Sequence, residues 1–270
     1  MMLDPFVKRL QQLTPLPAAE TEALRELHVA RRRLQLPQDL VAKGCDPQGL
    51  YIIESGFAAR YTWLPNGRRQ ILGFLLPGDF AGLRCSFYGA TRWSIGALTP
   101  LEFAFIPRHL LSQLSVRLPF FFAALGHARL VEDDTTREWL LNVGTRPAVS
   151  RLAHLLCELF TRLKAVGLAT ANGCNLPLRQ ADLADALALT PVHVNRVLMA
   201  MRRQGLISLY RQQLVLADFP AVRGLAGFES DYLCLGMRDR AASTANCRRP
   251  ESTATLDGHQ AAPAPALAAE

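Results

Sequence analysis

The hydrophobic period of this 270-residue chain changes once, near Arg108, and nothing else in the sequence restricts its fold as much. Before Arg108, apolar residues come in short runs rich in β-branched and aromatic side chains. Leu50–Leu64 (LYIIESGFAARYTWL) is followed by Pro65-Asn66-Gly67 and then Arg68–Leu76 (RRQILGFLL). Asn-Gly between two such runs is a strong hairpin signal, because both residues of the tightest turn take positive φ. Pro77-Gly78-Asp79 marks the next turn, and Trp93–Leu98 and Leu101–Ile106 supply further strands. A short helix is expected over Ala18–Leu27. The first part of the chain is therefore expected to form a small barrel or roll.

Beyond Arg108 the apolar spacing is helical. Phe121, Leu125, Ala128, Thr135 and Trp139 share one face of a segment reaching about Asn142, with Glu132 interrupting it. A long helix beside a roll needs a cover for that stripe. A second copy of the chain is an economical cover, and packing on its own domain is the other solution. Gly144–Pro147 breaks the pattern and reads as a hinge. Ala148–Val166 is helical again, with Leu152, Leu155, Leu156, Leu159 and Leu163 on one side. From Met237 the chain becomes Ala-, Ser/Thr- and Pro-rich, and its bulky apolar residues are only Met237, Leu256 and Leu267. Such a run cannot offset its ordering entropy, so a disordered tail is expected.

Charge is unevenly placed. The chain has 30 Lys+Arg and 23 Asp+Glu, a net +7, and residues 146–216 alone hold 9 basic and 3 acidic residues. An excess of positive charge suits a polyanion, and its location matters more than its total. Inside that segment, residues 179–207 read RQADLADALALTPVHVNRVLMAMRRQGLI. Ala181–Ala188 is a short helix with Leu183, Ala184 and Leu187 facing inward. The next helix opens at Thr190-Pro191, an N-cap residue followed by a proline where its missing N–H costs nothing. Val194, Val197, Leu198 and Met201 form its buried stripe. His193, Asn195, Arg196, Arg202 and Arg203 are left outward, Gly205 ends the helix, and Leu206–Leu209 with Gln213–Leu216 forms a small β-wing. Two short helices at a tight turn, the second with a basic outer face, make a winged helix-turn-helix. A helix of this kind fits the DNA major groove, where arginine pairs with guanine and asparagine with adenine. Arg179, Arg202, Arg203 and Arg211 are candidates for sequence-blind phosphate contacts, with Gln180 and Thr190 beside them.

The order of β-roll, long helix and winged helix-turn-helix resembles the Crp/Fnr family of bacterial transcription regulators over about residues 5–235. The stretches that carry the resemblance are PNGRRQILGFLLPGDF (65–80), REWLLNVGTRPAVSRLAHLLCEL (137–159) and LRQADLADALALTPVHVNRVLMAMRRQGLI (178–207). The resemblance implies an α+β fold. Residues 1–108 would be a β-roll sensor domain of the cyclic-nucleotide-binding-like jelly-roll type, and 109–143 a long dimerisation helix. Residues 144–236 would be a winged helix-turn-helix DNA-binding domain, and 237–270 a disordered tail. It also implies a homodimer on double-stranded DNA with two-fold half-sites, acting on RNA polymerase in the cytoplasm. Val192, Asn195 and Arg196 fall where the family's recognition helix reads bases, with His193 between them. Arg196 matches the common arginine, whereas Val192 replaces a frequent glutamate. Arg179 stands where a Ser/Thr helix cap is usual.

The resemblance places the effector pocket at Gly78, Asp79, Gly82, Leu83, Cys85, Arg92 and Trp93. Members that bind cyclic AMP carry a glutamate for the ribose where this chain has Leu83, and Ser/Thr-Ala after the arginine where it has Trp93-Ser94. Both departures argue against a cyclic nucleotide. Iron–sulfur members use an N-terminal cysteine cluster, and no cysteine precedes Cys45. Haem stays open, since six histidines are present, though no residue marks itself as an axial ligand, and Cys85 leaves thiol sensing open as well. His154 and Cys157, one turn apart, are too few for a metal site, so none is assigned. The cysteines, at 45, 85, 157, 174, 234 and 247, contain no CxxC pair, which suits a reduced cytoplasmic protein. No Gly-rich phosphate loop, GxSxG or HExxH is present, so no enzymatic reading is supported. The competing class is a ligand-binding or redox-sensing protein that acts through protein partners, its winged domain serving as a docking surface.

Overall fold

The computed structural model describes residues 3–83 and 89–235, so Cys85 and the expected tail lie outside the described residues. Two helices open the chain, α1 (Asp4–Leu13) and α2 (Ala18–Arg25). Eight strands follow: β1 (Ala30–Leu34), β2 (Asp39–Val41), β3 (Gly49–Ser55), β4 (Ala58–Trp63), β5 (Arg69–Leu75), β6 (Phe80–Ala81), β7 (Ser94–Ala97) and β8 (Leu101–Pro107). They form two four-stranded antiparallel sheets, ordered β1-β8-β3-β6 and β2-β7-β4-β5. Val41, Ile53, Ala58, Leu75, Ile95 and Phe103 fill the roll between them.

The β4–β5 hairpin differs in detail from expectation. Leu64 and Arg68 close the loop, Gly67 alone takes positive φ (74°), and the Asn66 Oδ1 accepts from the Arg68 N–H at 3.1 Å. The turn is thus the three-residue type with a left-handed glycine, not the two-residue type.

The helical stretch after the roll is not continuous. It divides into α3 (Arg108–Arg117) and α4 (Pro119–Thr145), bent by 115° at Leu118, where Pro119 starts the second helix. The expected single helix over 109–143 is therefore corrected to these two. Helix α4 also runs through Gly144, and the break falls at Arg146-Pro147 before α5 (Ala148–Ala165). The predicted apolar stripe is buried within the chain itself. Phe121, Leu125 and Ala128 pack with Phe6, Val7 and Leu10 of α1 and with Leu50 and Ile52 of the roll. Trp139 stacks edge-on against Phe74. Glu132 interrupts the stripe because it pairs with Arg60 of β4 and with Arg129.

The C-terminal unit holds β9 (Gly173–Asn175), α6 (Gln180–Leu187), α7 (Pro191–Arg203), β10 (Ile207–Tyr210), β11 (Gln213–Leu216), α8 (Phe219–Ala226) and a 3-10 turn at Asp231–Leu233. Its three-stranded sheet runs β10-β11-β9. The unit shares one apolar cluster with the outer face of the roll, joining Phe57, Ile71, Phe74 and Leu98 to Leu152, Leu156, Leu183 and Leu198. Among the described residues no single helix is long and apolar enough to cross a membrane.

Candidate nucleic-acid interface and effector cavity

Helix α7 is built as its sequence predicts. The Thr190 side chain accepts the His193 N–H at 3.2 Å, Pro191 occupies the first turn, and Val194, Val197, Leu198 and Met201 are buried. Removing such a cap costs about 1 kcal/mol. The opposite face is open: Val192 is 71% exposed, Asn195, Arg196 and Arg203 are exposed, and His193 is half-buried. Gln180 donates its side-chain N–H to the Asn195 Oδ1 at 3.3 Å, which orients that amide.

The six expected phosphate contacts separate on inspection of their partners. Thr190, Gln180, Arg203 and Arg211 are exposed, and Arg211 lies at the wing tip with its guanidinium 5.3 Å from the Tyr210 ring. Arg202 is half-buried and donates to the Leu209 carbonyl at 2.6 Å, so it ties the recognition helix to the wing. Arg179 is exposed but engaged. Its Nε donates to Asp182 Oδ2 and its Nη2 to Asp182 Oδ1, both at 3.0 Å. A guanidinium cannot accept an N–H, so Asp182 caps the helix from inside by accepting the Arg179 backbone N–H at 3.1 Å.

Asp182 is fully buried and carries a second cation. Arg69 of β5 donates Nη2 to Asp182 Oδ1 at 2.6 Å and Nε to Asp185 Oδ2 at 2.8 Å. Burial would raise the Asp182 pKa, but hydrogen bonds from Arg179 and Arg69 hold it below the ordinary carboxylate value. Gln70 adds a bond to the Asp185 carbonyl at 2.8 Å. The first helix of the helix-turn-helix is thereby fastened to the roll.

In the roll, a cavity of about 220 Å³ is lined by Gly82, Leu83, Arg92 and Trp93 of the expected pocket. Gly82 has φ 94°, and a Cβ there would stand 2.2 Å from the Gly49 carbonyl oxygen, so a side chain at this position is blocked. Sequence reasoning missed Arg60, Arg129 and Glu132, which complete the lining from β4 and α4. Burial would raise the Glu132 pKa, but Arg60 and Arg129 keep it low and the carboxylate ionised. Gly78 and Asp79 do not line this cavity. Asp79 is buried instead between Arg9 Nε (2.9 Å) and Arg162 Nη2 (2.5 Å), and it accepts the Leu76 N–H at 2.7 Å. Arg162 also donates to Glu158, which accepts from Trp139 Nε1 and the Tyr232 hydroxyl. No local sequence signal marks this network, because its members come from α1, the β5–β6 turn, α4, α5 and the last turn.

No group of three metal-ligating side chains exists among the described residues. Cys157 is buried, which pushes its thiol up to about 12. His154, one turn away, clusters with the Phe228 and Tyr232 rings, which also meet each other.

Comparison with known proteins agrees with this geometry. Residues 31–117 match the family model of the cyclic nucleotide-binding domain, and residues 150–225 match that of the Crp-like helix-turn-helix domain. A probable transcriptional activator of Rhizobium leguminosarum bv. viciae is 32% identical, the match covering 69% of this chain and 77% of that protein. The transcriptional activator protein FnrL of Cereibacter sphaeroides is 30% identical, with 74% and 82% covered. Among solved structures, FixK2 from Bradyrhizobium japonicum superposes with a TM-score of 0.66 at 24% identity, covering 75% of this chain and all of that one. A CRP-family transcriptional regulator from Thermus thermophilus gives 0.57 at 23% identity, covering 73% and 97%.

Proposed function

This chain belongs to the Crp/Fnr family of transcription regulators, and we propose that it reads DNA through Val192, His193, Asn195 and Arg196 as a dimer on two-fold half-sites. The observation that carries the reading is the open face of α7. It is a capped helix with its apolar stripe fully buried and with Asn195 and Arg196 projecting beside a basic wing. Arg203 and Arg211 flank that face and supply phosphate contacts. This basic, groove-sized surface favours DNA over a protein docking partner, and regulation then passes through RNA polymerase in the cytoplasm.

The dimer reading rests on the outer face of α4. Ala123, Gly126 and Leu130, and then Arg137, Leu140 and Gly144, are exposed there, two runs at three-four spacing set seven positions apart. It is the face opposite the predicted stripe. The seam brings two roll cavities and two recognition helices into one assembly, so a signal in the roll changes how the pair meets DNA.

The cavity chemistry favours an effector other than a cyclic nucleotide. Leu83 offers no acceptor for ribose hydroxyls, the bulky Trp93 follows Arg92 where a small Ser/Thr is usual, and the ionised Glu132 pairs with two of the cavity's three arginines, Arg60 and Arg129. Calorimetric titration with cyclic AMP should give no binding heat, and saturable binding would overturn this point. For the DNA reading, the test is selection of sites from genomic fragments, followed by Arg196→Ala. Loss of bidentate pairing should cost about 1–3 kcal/mol at one base position and relax preference there. Full site preference retained by Arg196→Ala would refute base reading by this residue.

A further inference from the structure

The cation count around Asp182 does not fit a merely structural cap. One buried carboxylate receives two guanidiniums, and they come from different halves of the molecule. Arg69 is largely buried in the roll, with its side chain 17% exposed, and it spans Asp182 and Asp185. Arg179 lies on the DNA side with its side chain 69% exposed. A buried carboxylate must keep a cationic partner, since stripping its only one leaves an uncompensated charge. With Arg69 in place, Arg179 can leave Asp182 and the buried carboxylate keeps one hydrogen-bonded guanidinium, shared with the part-exposed Asp185. Without Arg69, Arg179 is the only remaining partner and DNA must compete with Asp182 for it.

We propose that Arg69, in the sensor half of the molecule, is a positioning residue for DNA contact: by supplying the counter-charge of Asp182 it releases Arg179 to a DNA phosphate. The proposal rests on the reading of Arg179 as a phosphate contact. Its consequence is a coupling between the halves. When the helix-turn-helix is docked on β5, Asp182 holds Arg69 as well as Arg179 and can yield Arg179 to DNA; when the two part, Arg69 stays with the roll and Asp182 keeps Arg179. By reciprocity, DNA bound through Arg179 favours the docked arrangement.

The salt dependence of binding to a mixed-sequence DNA duplex tests this, because each phosphate contact contributes about 0.9 to the slope of log affinity against log salt. Arg179→Gln removes one such contact from each protomer of the dimer and should make the slope shallower by about 1.8. Arg69→Gln, which never approaches DNA, should do the same, and the double variant should lose no more than either single one. Asp182→Asn keeps the oxygen that caps the helix and removes the charge, so it should restore the slope in the Arg69→Gln background. That rescue is not expected if Arg69 only braces the fold. If Arg179→Gln leaves the slope unchanged, the phosphate reading of Arg179 fails. If Arg179→Gln lowers it and Arg69→Gln does not, the proposal itself is overturned. Should Arg69→Gln fail to fold, Asp182→Asn alone decides: an unchanged slope shows that Asp182 does not withhold Arg179 from DNA while Arg69 is in place, and a steeper slope shows that it does and overturns the proposal.

Discussion

His154 is a fully buried imidazole whose surroundings leave it little reason to be charged. Its Nε2 lies 3.2 Å from Glu138 Oε1 without hydrogen-bond alignment, and Nδ1 has no hydrogen-bond partner. The ring stacks on Tyr232 and meets Phe228 edge-on. Burial pulls its pKa down to about 4, the nearby Arg146 charge acts in the same direction, and Glu138 opposes both. In the unfolded chain the same group titrates near its ordinary value of about 6.5. Between those two values the unfolded chain binds more protons than the folded one, so stability falls as pH drops from about 6.5 towards 4. Thermal melts at pH 7 and pH 4.5 should therefore show a loss in the wild type that His154→Leu reduces. An identical loss in both proteins would remove His154 from the acid response. Because His154 lies between α4 and the last turn of the C-terminal unit, the same protonation would loosen the joint between them.

Helix α4 has two apolar faces, and they serve different partners. The inner one, from Phe121 to Trp139, is consumed by α1 and the roll. The outer one leaves Leu130 62%, Leu140 74% and Leu141 53% exposed, with the Asp134–Arg137 ion pair between Leu130 and the other two. A carboxylate in place of the apolar Leu140 would be desolvated in a dimer and stay hydrated in a monomer. Leu140→Glu should therefore shift sedimentation towards the monomer while leaving the thermal melt of the roll intact; a variant that sediments like the wild type would rule the seam out. Periodicity found the inner stripe but could not say what covers it, since spacing reports that a face is apolar and not which surface meets it. Local chemistry was far more legible. The Thr190-Pro191 start of α7, its stripe and the wing follow from capping, propensity and alternation within a few residues. By contrast β1 carries Arg31, Arg32 and Arg33 and looks like a charge run. It is a strand because Arg31 meets Glu54, Arg33 meets Glu102 and Arg32 lies over Phe105 across the sheet. Arg69 and Asp182, 113 positions apart, leave no local trace at all.

At the scale of the molecule, the roll and the DNA-binding unit are held together by buried charge as well as by apolar contact. Arg162 is the centre of this joint. It reaches from α5 to Asp79 in the roll, to the Phe74 carbonyl at 3.0 Å and to Glu158 beneath Trp139 and Tyr232. Burial alone would lower its pKa, but Asp79 and Glu158 raise it, so it stays charged. Such a network contributes little net stability over an apolar packing of the same shape, yet losing one member is costly, about 3–5 kcal/mol. Arg162→Met should show that asymmetry. Asp79 would keep Arg9, whereas Glu158, whose pKa burial already raises, would lose its paired cation and take up a proton or water. The cost then falls at the joint, where the C-terminal unit shares its apolar cluster with the outer face of the roll, while the roll keeps its separate inner core. Urea unfolding of the wild type should follow one transition, and Arg162→Met should split it, the C-terminal unit melting first and the roll near its original midpoint. A single transition at the wild-type midpoint would mean that the apolar cluster alone couples the halves. A split would show that the contact between the roll and the helix-turn-helix unit is marginal by construction, so that a bias of only a few kcal/mol in the roll suffices to shift the unit that carries α7.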